Sequence, residues 1–125
     1  MELTIRAIEE IDLPNYIETT WSGDKFVKEG PAPLLAKYRV ELSTPAGTIE
    51  LFYECRDTPH GHVQIDEYYY DQVHDALMTL VSSMVKKKES LRAYNELNGQ
   101  ITNAVFEKYA GALLQFPITV LVETK

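Results

Sequence analysis

The chain reads as an α+β domain, with an antiparallel or mixed sheet of about five strands and two helices packed on one face. Three observations carry this reading. Residues 1–8 and 36–66 alternate apolar and polar side chains with the period of two that a half-buried strand requires. A TPxG turn occurs twice, as Thr44-Pro45-Ala46-Gly47 and Thr58-Pro59-His60-Gly61. From Asp66 onward the apolar spacing changes to three and four, which is the spacing of a helix.

The first strand is predicted over Met1 to Ile8, with Leu3 and Ile5 on one side and Glu2, Thr4 and Arg6 on the other. Residues 12–35 follow as a long irregular segment, because Pro14, Gly23, Gly30, Pro31 and Pro33 interrupt any extended element. This segment holds the only tryptophan, Trp21. Loops of this length often carry function, while an indole also serves to plug one end of a core.

Residues 36–66 are predicted to form a three-stranded meander. In each TPxG turn proline suits the second position of a type I turn and glycine a later one. Pairing Ser43 with Thr48 puts Tyr38, Val40 and Leu42 on the face of Ile49, Leu51 and Tyr53. In the second hairpin a left-handed bulge at Gly61 pairs Cys55 with Ile65 and keeps Val63 and Ile65 on that apolar face. The opposite face is charged. Lys37 is expected opposite Glu54, Arg39 stacked on Phe52, and Glu41 facing Glu50 as a mild like-charge conflict.

Asp66 is expected to cap the first helix, whose apolar stripe runs through Tyr69, Val73, Ala76, Leu77, Leu80 and Met84. Tyr70, His74, Val81 and Val85 widen that stripe beyond what one contact needs. Lys86, Lys87 and Lys88 suit a helix C-terminus, where cations complement the dipole. A second helix from near Ser90 is expected to bury Tyr94, Leu97, Ile101, Val105, Tyr109 and Ala112. Asn98-Gly99 either interrupts it or ends one long helix from Asp66, leaving open whether residues 66–97 are one helix or two. Phe116 to Val122 reads as a closing strand, with Pro117 tolerated at its start.

The chain has 125 residues, 45% hydrophobic and 25% charged, which fits one globular domain over residues 1–125. Its net charge of −7 disfavours nucleic acid and anionic membranes, both of which attract basic surfaces. No apolar run is long enough to span a bilayer, and a single cysteine fits a reducing compartment, so a cytoplasmic location is expected.

Cys55 to Asp75 concentrates the reactive side chains: the only cysteine, all three histidines, Tyr68 to Tyr70 and five carboxylates. A metal site built from Cys55, His60, His62 and His74 has suitable ligand types, yet its spacing matches no familiar pattern and the register sends Cys55 and His62 to opposite faces. No metal or cofactor is expected. A cysteine nucleophile is equally thinkable, but a lone cysteine in a strand behaves as a small buried hydrophobe with a raised pKa. His74, flanking an apolar stripe, suits a boundary histidine. No phosphate loop, dinucleotide turn or nucleophile elbow is present.

Glu67, Asp71 and Asp75, four residues apart, would form an acidic stripe on the first helix, either a solvated face or a dock for a basic partner. The resulting expectation is a non-enzymatic binding or interaction module, accessory or regulatory in character. It would act as a homo-oligomer through the wide helical stripe and bind a partner protein or small ligand of positive charge. The expected binding residues are Trp21, His60, His62, Tyr68, Tyr70, Asp71, His74 and Asp75. The alternative is a small-molecule binder or small enzyme, hydrolase-like or metal-dependent, using Cys55, His60, His62 and His74.

Overall fold

In the computed structural model the chain is described over residues 2–12, 34–57, 63–67 and 70–123; at 34, 57, 63, 64, 66, 67 and 70–72 the description is of the backbone. The strands are β1 (Glu2–Glu10), β2 (Leu34–Thr44), β3 (Gly47–Asp57), β4 (Val63–Glu67) and β5 (Ile118–Leu121). The helices are α1 (Tyr70–Ser82) and α2 (Ser90–Tyr109), with a 3-10 turn at Lys87–Glu89 between them. The strands form one sheet in the order β4-β3-β2-β1-β5, and every neighbouring pair is antiparallel. The choice between antiparallel and mixed is thereby resolved. No helix among the described residues is long and apolar enough to cross a membrane.

The hairpin registers follow from turn chemistry. Ser43 pairs with Thr48 and Thr44 with Gly47, leaving Pro45 and Ala46 as the loop. The Thr44 hydroxyl accepts from the Ala46 N–H at 3.2 Å and donates to the Gly47 carbonyl at 2.6 Å, while Gly47 takes a φ of 123° that L side chains rarely adopt. Across the second hairpin Cys55 pairs with Ile65, as the bulge reasoning required. The turn itself lies outside the described residues.

One face of the sheet is the core. Leu3, Ile5 and Ile8 of β1 join Tyr38, Val40, Leu42, Leu51, Tyr53 and Cys55 in one cluster with Val73, Leu77 and Val81 of α1 and Ala93, Leu97, Ile101 and Val105 of α2. Ile8 gets there through an irregularity that simple alternation misses. Ile5 pairs with Leu42 and Ala7 with Glu41, so Arg6 is an extra residue on β1. That bulge advances the phase by one and brings Ile8 onto the inner face beside Val40. Tyr53 ties the layers together, its hydroxyl donating to the Asn98 side-chain carbonyl at 2.9 Å.

Several expectations about the helices need correction. Asp66 does not cap α1: it lies in β4 opposite Glu54, with Glu67 opposite Tyr53. Ladder hydrogen bonds to β3 there prevail over a local capping preference. Two helices form, because the turn Ser83–Val85 ends α1 well before α2 begins. Lys86, Lys87 and Lys88 are accordingly exposed on the connection leading into α2, and not at a helix C-terminus. α2 runs without a break through Asn98 and Gly99. It ends at Tyr109, leaving Ala112 exposed beyond it. Val81, read above as part of a surface stripe, is 0% exposed and belongs to the core of the single chain.

The last strand is held by side chains from α2. The Gln100 side-chain amide donates to the Leu121 carbonyl at 2.6 Å and accepts from the Leu121 N–H at 3.2 Å. Two residues on, the Glu96 carboxylate accepts from the Glu123 N–H and Arg92 donates to the Glu123 carbonyl. Arg92 is fixed in turn by Glu89 and Glu96.

Candidate functional site

The expected Cys/His/Tyr cluster divides when its residues are located. Trp21, His60, His62 and Tyr68 lie outside the described residues. Tyr70 and Asp71 are the first two residues of α1, described there by their backbone. His74 sits on α1 against Tyr94 of α2, ring centroids 4.7 Å apart in an edge arrangement, which is the environment of a boundary histidine. Asp75 is exposed on α1. Glu67, being in β4, is not part of a helical acidic stripe with Asp71 and Asp75.

Cys55 is fully buried in the core. Burial, and secondarily the charge of Glu10, pushes its thiol up to about 11, so it carries almost no thiolate near neutral pH. Tyr38, buried in the same core, is raised first by burial and then by the charge of Glu10, and donates to Glu10 at 3.3 Å. Neither group is poised as a nucleophile or base. Among the described residues no group of three or more His, Cys, Asp or Glu is placed to hold a metal ion.

The more informative surface is the outer face of the sheet, opposite the helices. Alternation along β2 and β3 puts Lys37, Arg39, Glu41, Glu50, Phe52, Glu54 and Arg56 there. Three of them are nonetheless shielded: Lys37 is 2% exposed, and Glu54 and Arg56 7% each. Lys, Glu and Arg are rarely buried so far without partners. Arg56 donates twice to the Glu54 carboxylate, at 3.1 and 3.3 Å, and Lys37 lies directly across from Glu54 with its ammonium 5.5 Å from the centre of the Phe52 ring.

Arg39 behaves differently from expectation. It pairs in register with Phe52, but the cation over that ring is Lys37. The Arg39 guanidinium reaches Glu9 at 3.0 Å, Glu50 at 3.6 Å and Glu41 at 3.9 Å. One cation thus sits between three carboxylates and relieves the Glu41–Glu50 conflict. Three acids against one base leave this part of the face with a surplus negative charge, and Glu9 and Glu50 are well exposed to solvent.

At the other end of the same face the registers align four hydroxyl side chains. Thr119, Thr4, Ser43 and Thr48 lie side by side across β5, β1, β2 and β3. A groove of about 400 Å³ opens here, lined by Thr4, Arg6, Ser43, Phe116 and Pro117. Sequence alternation identified the face but neither the burial of its charges nor this groove. The groove needs the Arg6 bulge and the β1–β5 pairing, which join residues more than a hundred positions apart.

Fold and face together define the class as α+β, with an antiparallel sheet backed by two helices on one side and charged on the other. No family model matches the chain, and comparison with curated proteins and with solved structures finds no relative.

Proposed function

We propose that this protein is a non-enzymatic binding module, and that it recognises a positively charged partner protein through the outer face of its sheet. The observation that supports this reading is the gathering of Glu9, Glu41 and Glu50 around the single cation of Arg39. A surplus of negative charge on a rigid sheet favours encounter with a basic surface and sets its orientation. The buried neighbours Lys37, Glu54 and Arg56, with the half-buried Phe52, hold the strands beside it in one arrangement. An accessory or regulatory role belongs to the same proposal, as does a cytoplasmic location, which is supported by a single cysteine that can form no internal disulfide.

The test compares two double neutralisations of equal charge. A fluorescent lysine-rich peptide is titrated at low salt against the native chain, against Glu9→Gln/Glu50→Gln and against Asp71→Asn/Asp75→Asn. The expected result is a several-fold loss of affinity in the first variant and little change in the second, both losses shrinking as salt screens the charges. Equal losses, or a larger loss from the helix pair, would remove the sheet face as the site.

A further inference from the structure

The groove at the hydroxyl end of the outer face has a chemistry of its own. The chain contains four arginines, and three are engaged: Arg39 with Glu9, Arg56 with Glu54, Arg92 with Glu89 and Glu96. Arg6 has no ion-pair partner among the described residues, although acids outnumber bases 19 to 12 in the sequence. It is also the bulge residue of β1, and bulges re-aim the side chain they displace. Among the described residues no carboxylate lines the groove. Beside Arg6 stand the hydroxyls of Thr4 and Ser43, neighbours across the β1–β2 ladder, and Phe116 and Pro117 form an apolar wall.

We propose that this groove binds a small carboxylate whose apolar body lies against Phe116 and Pro117. The guanidinium fork matches the two oxygens of a planar carboxylate, and the Thr4 and Ser43 hydroxyls supply further donors to the same oxygens. A monoanion suits the site better than a dianionic phosphate, because the net charge of −7 repels two charges more than one. The apolar wall excludes water from one side and offers an aromatic surface to a ring or aliphatic chain. This site goes beyond the docking surface proposed above: it has the opposite sign and different residues.

The experiment titrates phenylacetate into the full chain at low ionic strength and follows the backbone amide signals of Thr4, Arg6, Ser43 and Phe116. Saturable shifts confined to these residues are expected. Arg6→Gln should weaken binding about tenfold, the size of one lost charge-assisted hydrogen-bond pair, and Arg6→Lys by less, since it keeps the charge and loses the fork. Arg6 is exposed, so both variants should melt as the native chain does. Phe116→Ala should weaken phenylacetate while leaving acetate unchanged. Benzyl alcohol should not bind, and phenyl phosphate should bind no more tightly than phenylacetate.

Absence of saturable shifts, equal affinity in Arg6→Gln, or equal binding of the alcohol would overturn the site. Tighter binding of the phosphate would overturn its assignment to carboxylates. Arg6→Gln leaves the Glu9 and Glu50 region intact, so lysine-peptide binding should persist in it, and failure of one proposal is distinguishable from failure of the other.

Discussion

A thiol sealed inside a sheet-and-helix core is a pH-sensitive part of the fold. The pKa of Cys55 rises from 9.0 to about 11 on folding, so the folded state holds this proton more tightly than the unfolded one. Its contribution to stability is complete below about pH 9 and is lost as the pH rises through about 11, amounting to about 3 kcal/mol. Tyr38 is shifted in the same direction and adds to the same alkaline loss. Urea midpoints measured between neutral and strongly alkaline pH should fall accordingly, and Cys55→Val should remove part of the slope while Tyr38 retains the rest. Opposite Cys55 on the other side of the sheet, Arg56→Met should cost about 3 kcal/mol, because it strips a shielded Glu54 of a charge partner. Glu54→Gln should cost more than Arg56→Met in the same denaturation assay, because it takes the facing carboxylate from two shielded cations, Arg56 and Lys37. The two residues differ in how far sequence could read them. Cys55 falls between Tyr53 and the pairing with Ile65, which fixes it inside. Alternation puts Glu54 and Arg56 on the charged side but carries no information about how deeply they are covered.

Among elements, the hairpins were the most legible, because each register is fixed by a turn of defined length and by the need to keep one face apolar. β1 was less so: Leu3, Ile5 and Ile8 cannot share a face of an unbulged strand, and the Arg6 insertion that reconciles them has no local signature such as glycine. The start of α1 was misread because Asp66 and Glu67 suit a helix N-terminus as isolated residues, whereas β3 offers them a ladder. α2 shows the reverse case. Asn98-Gly99 looks like a stop, yet Tyr53 binds the Asn98 side chain, and the Thr102 hydroxyl back-bonds to the Asn98 carbonyl within an intact helix. Gly99 is exposed in a helix interior, and a Cβ there would meet nothing. Gly99→Ala should therefore raise the free energy of unfolding by about 0.7 kcal/mol, measured by urea titration, through reduced freedom of the unfolded chain.

At the scale of the whole molecule, the sheet is closed by sequence-distant partners. β1 lies between β2 and β5, so the strand near the start of the described chain is secured by the one near its end. Removing residues 118–123 should abolish cooperative thermal unfolding, since it takes Val120 and Val122 from the core and leaves β1 as an edge. This long-range closure was the part least visible in the sequence, where Phe116 to Val122 reads as a strand without a stated neighbour. The grip of α2 on Leu121 and Glu123 has a consequence for assembly. A glutamine amide offers the same donor and acceptor as a peptide group, so Gln100 stands where the backbone of a sixth strand would stand. An extended segment from another molecule finds those positions already taken. Pairing through strand backbones is thereby opposed at this border of the sheet, and a ribbon stopped at one border cannot propagate through it into a filament.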